Sequence, residues 1–127
     1  MIGYVTVGTN DLPRAQKFFD AVFGEIGAKR AWNNERMTAW GMAPRQPSIV
    51  VAKPYDEKQA SVGNGTMVAV ATTSPGDVDK LYAKAISLGG KDEGAPGLRG
   101  DTFYGGYFRD LDGNKFVAFC MVPKKKD

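Results

Sequence analysis

The sequence predicts an α+β fold of two βαβββ modules whose sheets curve around a shared cleft. The first sign is an internal repeat. Apolar residues at Leu12, Ala15, Phe19, Val22 and Ile26 are spaced 3, 4, 3, 4, and those at Val78, Leu81, Ala85 and Leu88 are spaced 3, 4, 3. That period marks a helix with one face against a core. The second sign is how each pattern ends. Both stop on a glycine, Gly27 and Gly89, 62 residues apart, and restart as a strand-like run. Glycine supplies the left-handed turn that closes a helix. The same 62-residue shift carries Phe19 onto Leu81, Phe23 onto Ala85 and Ile26 onto Leu88.

The remaining elements follow in order. A strand at Tyr4-Val5-Thr6-Val7 precedes the first helix, which Asn10-Asp11-Leu12-Pro13 opens with a cap and an early proline. Strands are predicted near Ala28–Trp32, Arg36–Met42 and Ile49–Ala52, with Asn33-Asn34 as a hairpin turn. After a polar linker, residues 54–64, the pattern begins again. Thr66–Val70 reads as a strand and Ser74-Pro75-Gly76-Asp77 as a helix start. Strands follow near Lys91–Glu93, Phe103–Arg109 and Lys115–Met121, the last two joined at Asp112-Gly113-Asn114. The expected organisation is one domain over 1–127, with module 1 at 1–53, module 2 at 65–122 and a solvated basic tail at 123–127. Each sheet carries a helix on one face only, so the other face is left for a partner module and a small ligand.

Composition narrows the function. The 127 residues are 43% hydrophobic and 24% charged, with a net charge of +3, as expected of a soluble globular chain. Neither a spanning segment nor a leader peptide is expected, and the single cysteine, Cys120, points to a reducing cytoplasm. Cys120 itself is expected in the core. Basic residues are spread along the chain instead of gathered on one face, which argues against a nucleic-acid partner. There is no histidine. That removes Ser–His and Cys–His nucleophile pairs and the H-E-x-x-H zinc motif. Asp110-Leu111-Asp112-Gly113 fails as a calcium loop, because its glycine comes early and Met121 stands where a glutamate belongs. Gly94–Gly100 is glycine-rich but lacks the phosphate-loop ending, and is expected to be a flexible loop at the cleft mouth.

The openings Val5–Leu12 and Gly65–Val70, and above all the closing run Tyr107-Phe108-Arg109-Asp110-Leu111-Asp112-Gly113-Asn114-Lys115-Phe116, resemble the glyoxalase/bleomycin-resistance/extradiol-dioxygenase (vicinal oxygen chelate) superfamily. The resemblance covers nearly the whole chain. It implies a glyoxalase-like fold, and it places metal-ligand positions at Tyr4, Met67 and Val117, with a fourth around Val50 or Val51. A phenol, a thioether and aliphatic side chains do not replace imidazole and carboxylate donors, so neither metal nor cofactor is expected.

If Met67 and Val117 keep the direction that the resemblance implies, strand alternation turns Ala69, Phe119, Tyr4 and Thr6 the same way. Trp32, Trp40, Tyr104 and Tyr107 fall on the other strands and complete the expected ligand pocket. Arg36 and Arg99 are candidates to clamp an anion. Two functions remain open. One is metal-free binding of a small aromatic or anionic molecule. The other is a metal-independent isomerase or lyase using an acid or phenol such as Glu93, Asp101 or Tyr104. A metal-dependent lactoylglutathione lyase or dioxygenase lacks its donors here, and a basic protein is a poor trap for cationic bleomycin. Relatives pair their modules within one chain or across a dimer; a homodimer is expected, with no membrane partner.

Overall fold

The computed structural model describes residues 1–125; the end of the expected tail, 126 and 127, lies outside the described residues. Module 1 runs β1 (Tyr4–Gly8), α1 (Leu12–Gly24), β2 (Lys29–Asn33), β3 (Met37–Gly41) and β4 (Ser48–Ala52). Module 2 runs β5 (Val68–Ala71), α2 (Pro75–Ser87), β6 (Lys91–Arg99), β7 (Phe103–Arg109) and β8 (Lys115–Met121). The sheets have the orders β1-β4-β3-β2 and β5-β8-β7-β6, so each module repeats one topology. In each, the first and last strands pair parallel and the other pairs are antiparallel.

The helix ends follow local chemistry. Asp11 and Ser74 accept bonds from Arg14 N and Asp77 N, and a proline opens each first turn. Gly27 and Gly89 take φ +84° and +99°, the left-handed turn that closes each helix. The periodic residues form one core. Phe18, Phe19, Val22 and Phe23 of α1 and Val78, Leu81 and Ala85 of α2 pack with Trp40, Val51, Phe108, Phe116 and Cys120. The Phe116 ring lies 5.5 Å from Phe19 and 6.4 Å from Phe23. The modules therefore meet through their helix sides. A separate small cluster, Ala39, Val50 and Ala52, lies on the opposite face of the first sheet.

One expectation is corrected. Gly94–Gly100, predicted as a flexible loop, is mostly strand, because β6 continues to Arg99 and pairs with β7. Two irregularities, at Asp92/Gly94 and Gly94/Gly97, absorb the glycines as bulges. Pro96 is tolerated because β6 is an edge strand.

Candidate functional site

The registers define the two helix-free faces. On module 1, Thr6 pairs with Val50, Val50 with Ala39 and Ala39 with Trp32, one row across four strands. Val50 and Ala39 are buried in this row, whereas Trp32 at its edge and Tyr4 one pair away are exposed. A cleft of about 440 Å³ opens beside it, lined by Thr6, Gly8, Met37 and Ala52 and closed by the linker from Pro54 to Ser61.

On module 2 the matching row is Ala69, Val117, Tyr107 and Gly94. The next row is Ala71, Phe119, Gly105 and Gly97, followed by Met121, Phe103 and Arg99. Phe103 and Phe119 stack at 5.2 Å with planes 7° apart. Two cations approach the Tyr107 ring, Arg99 at 5.4 Å and Lys115 at 5.7 Å from its centroid. A cleft of about 760 Å³ lies beside Met67, Arg109 and Lys115. Arg109 is held by Glu93, which keeps the Glu93 carboxyl below its ordinary range.

Tyr4, Thr6 and Trp32 thus share one helix-free face, while Val117, Phe119, Tyr107 and Arg99 share the other, with Met67 just before β5 in the cleft beside Arg109 and Lys115. Two candidates are corrected. Trp40 lies on the helix side, 2% exposed, against Phe19 and Phe23, with its indole N–H donating to Asp20 at 3.0 Å. Tyr104 pairs with Cys120, so it also faces the helix and donates to Asp79 at 2.7 Å. That bond, then burial, raises its phenol. Arg36 lines the module 1 cleft and also ties down the linker there, donating to Pro54 O at 2.8 Å beside the Tyr55 ring. Of the acid–base candidates, Asp101 pairs with Lys124 at 3.7 Å, both exposed. The expected acids and phenols do not converge on one point.

The closing motif has a role that sequence reasoning missed. Asp112 accepts from Thr9 Oγ1 at 2.6 Å, from Asn10 N at 2.9 Å and from Arg14 Nη2 at 2.9 Å. Asp110 accepts from Asp112 N and from both nitrogens of Asn114, whose side chain also donates to Gly8 O at 2.9 Å. Burial raises the Asp110 carboxyl, against those donors. The motif therefore clamps the last hairpin of module 2 onto the β1–α1 junction of module 1. Its signal in the sequence was the density of acceptor side chains in one turn, but no local rule named their partners.

The positions implied for a metal carry Tyr4, Met67 and Val117, the last only 1% exposed, and this donor set does not fit a hard cation. Among the described residues no three His, Cys, Asp or Glu side chains group as metal ligands. No described helix is long and apolar enough to cross a membrane.

Residues 1–118 match the family described as the Glyoxalase/Bleomycin resistance protein/Dioxygenase superfamily. The chain belongs to that superfamily. A glyoxalase/bleomycin resistance protein from Albidiferax ferrireducens T118 is 34% identical, with 97% of this chain and 99% of that one covered and a TM-score of 0.88. A glyoxalase/bleomycin resistance protein/dioxygenase family enzyme from Burkholderia phytofirmans PsJN shares the fold at 18% identity, TM-score 0.74, over 94% and 98% of the two chains. A glyoxalase-related enzyme from Fulvimarina pelagi does so at 17% identity and TM-score 0.74, over 94% and 87%. No curated protein matches. Within the superfamily fold, this member carries hydrocarbon, thioether and phenol where the resemblance placed metal donors.

Proposed function

We propose that this superfamily member binds a small aromatic or anionic molecule on its helix-free sheet faces, without a metal ion. The observation that carries the reading is the chemistry of those faces. Trp32 and Tyr4 on one and Tyr107, Phe103 and Phe119 on the other offer rings for stacking. The positions that would hold a cation are filled by Met67 and Val117. The same faces support a homodimer, because Tyr4, Trp32, Met67 and Met121 are large apolar groups left 44–64% exposed there. A second copy would cover them and complete the cleft. Glu93 and Tyr104 are already engaged by Arg109 and Asp79, so acid–base catalysis gains no support from the geometry.

Thermal melts of the purified chain against a panel of aromatic acids, aromatic alcohols and antibiotics test this, with and without EDTA. A ligand at 100 times its Kd stabilises by about 2.7 kcal/mol, which for a domain of this size raises Tm by about 10 °C. The shift is expected to survive EDTA. Sedimentation should report a dimer. A stoichiometric divalent ion whose removal abolishes binding would sink the reading.

A further inference from the structure

Resting on that reading, one part of the module 2 face carries a more specific assignment. We propose that it holds a small carboxylate with a flat apolar body, the carboxylate taken by Arg99 and the body lying toward Phe103 and Phe119.

Three observations converge. Arg99 is a positioned cation. From β6 it reaches back so that its guanidinium stands 5.4 Å from the Tyr107 centroid, and Nη2 donates to Ala95 O at 2.8 Å. Its seat is cleared by glycines. A Cβ on Gly94 would come within 3.2 Å of Nη2, and one on Gly97 within 3.1 Å of Nη1. A guanidinium held this way has little further freedom to lose on binding, and its planar fork suits a carboxylate.

Arg99 also has no carboxylate partner among the described residues. Among the described residues it enters no ion pair, whereas Arg14, Arg30, Arg36 and Arg109 each do. Lys115, on the same Tyr107 ring, enters none either. Both lie on the face shared by Tyr107 and Val117, and Arg109 nearby is already compensated by Glu93. The face therefore keeps an uncompensated positive field, concentrated where Arg99 and Lys115 approach the ring.

Beside the cation lies an apolar platform. Arg99 pairs with Phe103, and the Phe103 ring lies over Gly105, where a Cβ would meet it at 2.7 Å. Phe119 stacks beneath at 5.2 Å, with Val117 adjoining Gly105. Two residues along a strand cover about 6.6 Å, so the distance from the Tyr107 row to the Gly105 row suits an aromatic acid. A phosphate ion would use the charge but waste the platform.

Amide-resolved NMR titrations of the full chain at constant ionic strength test the assignment, with sodium benzoate, neutral benzamide and inorganic phosphate as probes. Benzoate should shift amides of residues 94–99 and 103–107 and bind at least about fivefold more tightly than benzamide. Arg99→Met should weaken benzoate about tenfold or more, the loss of a charge-assisted bond. Lys115→Met should weaken it only two- to threefold, about the share of a nearby charge that does not touch the ligand. Gly97→Ala should weaken it with Arg99 still present, and a thermal melt of each variant guards against misfolding. If benzoate and benzamide bind this face equally and Arg99→Met changes neither, the anion site is wrong while small-molecule binding stands. Benzoate shifts confined to module 1, or phosphate matching benzoate, also overturn it. If no panel compound binds either face, the broader reading fails with it.

Discussion

The two modules repeat one topology, yet they solve the same local problem with different chemistry. Asp20 on α1 accepts two bonds from Arg30 on β2, at 2.9 and 2.8 Å. The residues 62 positions on are Tyr82 and Asp92, and there the α2 phenol donates to the β6 carboxylate at 2.7 Å. Burial and then that bond push the Tyr82 phenol up to about 12. Donor and acceptor have exchanged places across the repeat, so the fold needs a polar clasp between helix and neighbouring strand, whichever side supplies the proton. The helix sides of both sheets feed one apolar core. The helix-free faces have diverged, one carrying Trp32 at its edge and the other Arg99 and Lys115 around Tyr107. Shared packing constrains one side of each sheet, and a binding face is free to change.

The sharpest way to break this comparison is through the common core. Phe116 belongs to module 2, is fully buried, and touches Phe19 and Phe23 of module 1. Phe116→Ala should cost about 3–5 kcal/mol. Both tryptophans, Trp32 and Trp40, lie in module 1, so indole fluorescence in urea reports that half alone. A shared core requires the fluorescence transition to move with the circular dichroism transition; an unmoved one would mean independent modules.

Next comes the clamp. The Asp112 side chain is 3% exposed and accepts three donors from module 1. Asp112→Ala should cost about 1.5–3 kcal/mol, the range for hydrogen bonds to a charged group. A loss below about 0.5 kcal/mol in urea would show that Asp112 does not help to join the halves.

The smallest effect separates the two clasps by pH. The hydrogen bond from Arg30, with help from Trp40, lowers the Asp20 carboxyl in the fold. Its contribution is therefore fully present above the unfolded carboxylate value, near 3.9, and is lost as pH falls through the lower folded value. The side chain is 45% exposed, so Asp20→Asn should cost below about 1 kcal/mol at neutral pH. Tm curves of the variant and the parent should converge as pH falls below about 4. Parallel curves would remove Asp20 from the account.

Much of the fold was legible, and the misses have physical causes. Helix periodicity located α1 and α2 because one-sided burial imprints a period on consecutive residues. Strand alternation groups residues by face, but assigning that face needs the register. Val117 pairs with Tyr107 and Cys120 with Tyr104, which sends the two tyrosines to opposite sides. Their spacing of three puts them on opposite sides whatever the register, but β7 alone does not state which of the two meets the helix. Gly94–Gly100 looked like a loop because glycine and proline disfavour strands locally, and the edge pairing with β7 overrides that preference. The candidate site was half visible. Arg99 stood out as a cation in a glycine-rich run, but its seat over Gly97 and against Tyr107 depends on how β6 pairs.

By itself, the sequence determined the two modules, their helix-core residues and the unusual side chains where the resemblance placed metal donors, because residue identity and period are carried by near neighbours. Tertiary structure alone decided that Trp40 and Tyr104 serve the core, that Asp112 reaches Thr9 across about a hundred residues, and that Arg99 faces a ring with no ion-pair partner among the described residues. Those facts depend on strand register and module docking, which form only when distant segments close on one another.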